Sequence, residues 1–583
     1  MRGGAALPRR ATTDIVGAVF HRETRRMPRF PAFPIHVLAA GVLLAVSATA
    51  QADGEHLLTA ARIHTSDAGK PVATAMAWDG EGRIIAVGDA EELATRFPDA
   101  ERIDAGGATV VPGLIDAHAH LVDLGHALMQ ADLVGARSTG EIVERLQAFA
   151  RDLPADAWMM GRGWDQNLWP DTAFPTAAVL DAAFPERPVV LERIDGHAAW
   201  ANSAAMRAVE RDLSGDWQPD GGRVLREEGR PTGVFIDTAA RLLYAAAPAP
   251  DAEWQERAFE RALQHVASLG LTGVHDMGTS DDGFALMQRF ADRGALSLRV
   301  RAYAHREADA IDARCREGAY RHASGRLDMR GVKLMIDGAL GSRGAALVED
   351  YSDDPGNRGL LVQGEEDYAA AVRRAHGCGL QVATHAIGDR GNRIVLDTYR
   401  RALGDAASGD HRWRVEHAQV MAPGDIARFG ELKLVASMQP THATSDMGWA
   451  GDRLGDARLA GAYAWRSFVG AGVPLALGSD FPVEFADPRL GLLAAVTRQD
   501  VHGQPPGGWR PDQVLTAAEA LHGFTAGAAW AAFDEDEVGR LAPGLRADFV
   551  VLGQDPLAVP ANELDQLEVR STWVDGRPVF EAE

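Results

Sequence analysis

GLIDAHAH, residues 113–120, sets the reading of the whole chain. It is a short apolar run that ends in His118 and His120. In a β-strand successive side chains alternate faces, so two histidines two apart project to the same side and can grip one ion. Seven further short apolar runs follow. They are LTGVHDMG (271–278), LSLRVRAYA (296–304), GVKLMIDG (331–338), LQVATHAIG (380–388), WRVEHAQ (413–419), LVASMQP (434–440) and VPLALGSD (473–480). Stretches with helical spacing of apolar residues separate them, such as EDYAAAVRRAHGCG (366–379) and PGDIARFGEL (423–432). Eight strands alternating with helices predict an α/β fold, a (β/α)8 TIM barrel, over residues 112–536.

The first and second strands stand about 150 residues apart, far beyond an ordinary connection. A large insert is therefore expected at about 121–265. It carries Trp158, Trp164, Trp169 and Trp200, four of the chain's 13 tryptophans, read either as core packing or as an aromatic wall over a site. Both ends of the chain read as β-structure. ATAMAW (73–78) and RIIAVG (83–88) flank the turn Asp79-Gly80-Glu81-Gly82, and ATVV (108–111) follows. ADFVVLG (547–553) and VRSTWVDGRPVF (569–580) close the sequence. A small β-sandwich domain built from residues 53–111 and 537–583 is the expectation.

Composition narrows the function classes. The chain has 583 residues, 46% hydrophobic and 24% charged, as in ordinary globular enzymes. Its formal net charge of −23 argues against nucleic acid as a partner, because phosphate repulsion would have to be overcome. Cys315 and Cys378 could pair, but with no disulfide framework around them they read as two free buried thiols. Residues 35–46, IHVLAAGVLLAV, form an apolar run of secretory length, preceded by Arg25, Arg26 and Arg29 and followed by Ala50-Gln51-Ala52. A signal peptide over 1–52 is expected, giving an exported, periplasmic protein with no membrane segment after cleavage. Its removal takes away seven Arg and two acidic residues, so −23 becomes −28.

The chemistry-bearing residues fall at strand ends. Beyond His118 and His120, Lys333, His385, His417 and Asp480 sit within or just after apolar runs. A charge buried there needs a partner or a metal. Imidazole and carboxylate donors without thiolate suit zinc, and also manganese, iron or cobalt. His275 and His442 end predicted strands as well, and read as second partners of the ligands or as substrate contacts.

Several of these stretches together resemble the amidohydrolase superfamily. They are PGLIDAHAH, DGH (195–197), VKLMIDGALGSR (332–343), THAIGDRGN (384–392), VEHAQ (415–419), MQPTHA (438–443), ALGSDFPV (476–483) and GRLAPGLRADFVVL (539–552). Within it the resemblance is to the metal-dependent hydrolase branch that includes N-substituted formamide deformylase, and it extends over essentially all of residues 56–580. It implies two divalent metal ions, zinc by default. His118, His120 and Asp480 would hold the first and His385 and His417 the second, with a carbamylated Lys333 bridging them. Asp480 would be the catalytic proton carrier. His197, Asp337 and Arg343 would contact substrate, with a structural hydrogen-bond pair of Asp195 and His197 as the equal alternative, and Asp389 and Arg390 would form an ion pair orienting the loop after His385. Trp164, as part of the aromatic wall that the insert's tryptophans suggest, would be a further substrate contact.

The reaction implied is cleavage of a C–N bond in an amide, formamide or cyclic amide by a metal-activated hydroxide. Hydrolysis of an ester, lactone or phosphoester on the same site is the alternative reading. A non-catalytic binding or regulatory barrel is the reading from another class. A small molecule is the expected partner, and self-association into a homo-oligomer is left open.

Overall fold

The computed structural model describes residues 54–154, 157–171, 173–193, 198–219, 222–341 and 343–583. The apolar run at 35–46 and the Asp195-Gly196-His197 motif lie outside the described residues, and with them the expectations of a signal peptide and of His197 as a substrate contact. Gln130–Ala249 form one compact unit. The described residues up to Met129, together with Pro250–Glu583, form a second.

The second unit is built on eight parallel strands: β1 (Leu114–Ala119), β2 (Leu271–Thr279), β3 (Arg299–Ala304), β4 (Leu327–Met335), β5 (Gln381–Ala386), β6 (Arg414–His417), β7 (Val435–Met438) and β8 (Leu475–Leu477). Each pairs in parallel with its sequence neighbour. Helices cover their outer face, so the strands are buried on both sides and read as nearly unbroken apolar runs.

The last strand returns to the first. Ala119 and Phe481 form a parallel bridge, Asp480 N–H donates to His118 O at 2.7 Å, and His120 N–H donates to Phe481 O at 2.9 Å. Gly478 makes this closure possible, because a Cβ there would stand 2.5 Å from both His118 N and Asp116 Oδ1. The nearly closed barrel is the predicted fold.

Strands from both ends of the chain interleave beside the barrel. One sheet runs Arg577–Glu581, Val569–Val574, Phe549–Leu552, Thr109–Pro112, Arg62–His64, Val72–Ala73. A four-stranded sheet of N-terminal residues faces it, and Leu58, Met76, Trp78, Val110, Phe549 and Val551 fill one shared core.

The insert is narrower than 121–265. The helices Leu121–Leu128 and Ala252–Ser268 belong to the barrel unit, where they continue its strand–helix alternation. Residues 130–249 form their own six-stranded sheet with a core that holds Trp164, Trp169 and Trp200. Trp164 is 0% exposed and donates its indole N–H to Leu191 O at 2.8 Å, so it packs in this core and offers no face to a substrate.

The cysteines correct the free-thiol expectation. Cys315, near the end of the helix Ala308–Glu317, and Cys378, capping the helix Glu365–Gly377, form a disulfide with their Cα atoms 5.2 Å apart. The two helices are neighbours on the outside of the barrel, a proximity that a separation of 63 residues in sequence does not reveal.

Candidate metal centre

The C-terminal ends of the strands bring His118, His120, Lys333, His385, His417 and Asp480 together. In parallel barrels the active site lies at this end, where the chain leaves each strand. Asp480 is central. Its Oδ1 lies 3.1 Å from His120 Nε2 and 3.4 Å from His118 Nε2. Lys333 Nζ reaches 3.1 Å from the same His118 Nε2. The His417 ring centroid stands 4.7 Å from that of His118 and 4.5 Å from that of His385.

Two of these residues hold unusual backbone. His417 has φ 71° and Asp480 φ 64°, in the left-handed region that residues other than glycine seldom adopt. Strain of this kind costs on the order of 1–3 kcal/mol and gathers at functional sites. Here it turns two side chains off the regular alternation of their strands, toward one centre.

The charge states suit ligation. Burial, aided by the Lys333 ammonium, lowers His118 to about 4 and His385 to about 3. Burial and the neighbouring His385 and His118 drive His417 well below the usual imidazole range. All three are thus neutral at pH 7, the form that donates a lone pair to a metal. Burial also lowers Lys333. For Asp480 burial works in the opposite direction, but His118, His120 and His417 outweigh it and hold the carboxylate well below its usual value.

The donor set fits divalent ions. His118, His120 and Asp480 offer ligand atoms within 4.8 Å of one another, and so do His417, His442 and Asp480. His385 Nε2, His417 Nδ1 and His442 Nε2 are buried with no hydrogen-bond partner. A buried polar atom left unpaired costs about 1–3 kcal/mol. Three in one cluster of imidazoles suit a cation as their shared partner.

Behind His118 lies a network built on Arg414 and Glu416, to which the sequence gives no role. Glu416 Oε2 accepts from His118 Nδ1 at 2.7 Å, which puts the ring proton on Nδ1 and leaves Nε2 free to ligate. Arg414, fully buried inside the barrel, donates to Glu416 Oε1 at 2.7 Å, His275 Nδ1 at 2.8 Å, Ser437 Oγ at 2.8 Å and Ala117 O at 2.6 Å. Arg414 and Glu416 are two apart on β6, so strand periodicity sends both inward. Two opposite charges on alternate positions of a four-residue buried strand were the available signal. His275 is an acceptor in this network.

Four other expected residues make contacts within and between the loops. Asp337 is fully buried, and its carboxylate accepts from the backbone N–H groups of Ala346, Ile387 and Gly388 at 2.8–3.0 Å. It clamps the loops after β4 and β5 and has no surface for substrate. Arg343 is paired through two nitrogens with Asp353, at 3.1 and 2.8 Å. The Arg390 guanidinium pairs with Glu365 at 3.3 Å, while Asp389 Oδ1 accepts from the backbone N–H groups of Val348 and Arg390, each at 2.9 Å, so the two side chains do not form the expected ion pair.

The fold and this centre define a barrel hydrolase of the metal-dependent kind. Residues 101–580 match the amidohydrolase family, and the chain belongs to it. It is 34% identical over 511 residues to YtcJ of Bacillus subtilis (strain 168), covering 86% of this chain and 95% of that protein. It is 29% identical to the N-substituted formamide deformylase of Arthrobacter pascens over 88% of this chain and 96% of that protein. The crystal structure of an uncharacterized metal-dependent hydrolase from Pyrococcus horikoshii superimposes with a TM-score of 0.71 at 29% identity, over 87% of this chain and 99% of that one.

Proposed function

We propose that this protein hydrolyses a C–N bond of an amide, formamide or cyclic amide, using two divalent metal ions, zinc by default. The observation that carries this reading is the clustering of His118, His120, Lys333, His385, His417 and Asp480, with buried imidazole nitrogens left unpaired among them. The likeness to the N-substituted formamide deformylase of Arthrobacter pascens supports the formamide arm. When bound, the ions would polarise the substrate carbonyl and make a water easier to deprotonate. Asp480 takes the proton of the attacking water and passes it to the departing nitrogen. Glu416 holds His118 in the tautomer that ligates.

Lys333 is proposed to be carbamylated and to bridge the ions. A lysine ammonium beside two divalent cations adds repulsion in a low-dielectric site, whereas a carbamate removes it. The test is a panel of N-acyl, N-formyl, lactam and ester substrates, run before and after chelation. Activity on the amide-type members should vanish with chelator and return with Zn2+ or Mn2+. Lys333→Ala should lose metal as well as activity, with partial recovery of both in short carboxylic acids. Turnover confined to esters, or indifferent to chelation, would overturn the reading.

Export is proposed for the chain. The basic and apolar leader motivates it, and the Cys315–Cys378 disulfide supports it, since such bonds persist in oxidising compartments. N-terminal sequencing of protein recovered from the exported fraction should begin at Asp53. An intact Met1 or Met27 there, or protein confined to the cytoplasm with free thiols, would refute it.

A further inference from the structure

We propose that His442 is a direct ligand of the second metal ion, which His417 and Asp480 Oδ2 share with it. The inference rests on the two-metal reading above and adds a ligand from the chain after β7. His442 lies on the short helix Pro440–Asp446 that follows this strand. Its Nε2 stands 3.8 Å from Asp480 Oδ2, while Oδ1 of the same carboxylate faces His118 and His120. Asp480 thus divides its two oxygens between two groups of imidazoles.

Distances favour ligation over a hydrogen bond. At 3.8 Å, His442 Nε2 and Asp480 Oδ2 are too far apart to bond to each other. Two ligand atoms on one tetrahedral zinc, each about 2.1 Å from it, stand about 3.4 Å apart. The observed gap is close to that of two donors around one cation. The His442 and His417 rings are stacked, 5.7 Å between centroids and 10° between planes. Both His442 Nε2 and His417 Nδ1 are buried without a partner, and the His442 side chain is 12% exposed.

The helix carrying His442 is held in place from behind. One turn on, Asp446 Oδ2 accepts from Tyr463 Oη at 2.6 Å and from Gln419 Nε2 at 3.1 Å, and Gln419 Nε2 also donates to Tyr463 Oη at 2.8 Å. Gln419 is two residues beyond His417, so one hydrogen-bonded triangle fixes the loop after β6 and the helix after β7 together. A ligand site needs this fixed spacing between donors from different elements. A mobile substrate contact does not.

The test is calorimetric titration of chelator-stripped full-length protein with Zn2+, and separately the visible absorption of the Co2+-loaded form. Wild type, His442→Ala and His442→Gln are compared, with melting of the metal-free proteins as the folding control. Replacing partners of metal ligands typically costs about 10–100-fold in affinity, and a direct ligand should cost at least about 10²-fold. The expected result is two ions in wild type, with the second weakened by at least that factor in both variants, the first unchanged and the Co2+ spectrum altered. Two ions of unchanged affinity in the variants, with only KM raised, would assign His442 to substrate and overturn the proposal while sparing the two-metal reading. Saturation of wild type at one ion would end the two-metal reading. The His442 assignment would then stand if that ion's affinity falls in the variants, and be lost if it does not. Should His442→Ala melt differently from wild type without metal, His442→Gln carries the comparison.

Discussion

Asp480→Asn is expected to cut turnover on an amide-type substrate by at least about 10²–10⁴-fold, the usual contribution of a positioned acid/base. The side chain emerges just beyond β8 in a left-handed conformation that aims it at His118 and His120 on one side and His442 on the other. His118, His120 and His417 keep it ionised against the cost of burial, as a proton acceptor must be. Asparagine keeps the shape and loses the proton. An amine anion is a poor leaving group and must be protonated as it departs, whereas an ester with a good leaving group needs no such help. The variant should therefore lose relatively more on an N-acyl substrate than on an activated ester. Asp480 is also a proposed ligand, so metal content is measured in the same preparation. Equal losses on both substrates with metal retained would confine Asp480 to activating water, and near-wild-type turnover would remove it from the mechanism.

The barrel and the interleaved ends were legible because their signals are local. A run such as VPLALGSD or THAIGDRGN carries its own length, apolar content and turn residues, and the order of the runs gives the topology. The six expected ligands stand out because each is an imidazole or a charge within or at the end of such a run, where burial without a partner is costly. What escaped depends on contacts distant in sequence. Helices Leu121–Leu128 and Ala252–Ser268 carry the same amphipathic pattern whether they belong to the barrel or to the insert, so its borders were drawn too wide. Trp164 could not be told from an aromatic wall by composition, because a core tryptophan and a surface one are spelled alike. Asp337 sits in a motif beside the active-site strand, yet its acceptors are spent on backbone N–H groups of its own loop and of the loop after β5. Arg414 makes sense only once His275, Ser437 and Ala117, from three other strands or strand ends, are seen around it.

Arg414→Met should destabilise the barrel by about 3–5 kcal/mol, the usual consequence of breaking a buried ion pair from one side. Neither partner has any side-chain exposure. Burial alone would raise Glu416, and the Arg414 guanidinium, with His118, holds it far below the ordinary carboxylate range. Without Arg414 that carboxylate must either remain charged in the barrel interior or take up a proton, which weakens its hold on His118 Nδ1. Methionine fills much of the same volume, so the loss reads charge and hydrogen bonding more than a cavity. Glu416→Gln alone should also destabilise, because it strands a buried guanidinium. The double variant should cost less than the sum of the singles, since each removes the other's unpaired charge. It will not return to wild type, because Ala117 O, Ser437 Oγ and His275 Nδ1 lose their donor. A chain with two compact units does not unfold in one step, so the local readout is hydrogen exchange of peptides covering 113–120 and 413–419 in metal-free protein, alongside the urea midpoint. Protection in those peptides should fall most in Arg414→Met. A change within about 0.5 kcal/mol, the range of an inconsequential surface substitution, would mean the network is not what holds β1 against β6. Strict additivity in the double variant would show that Arg414 and Glu416 act separately, and that the proton on His118 Nδ1 does not depend on Arg414.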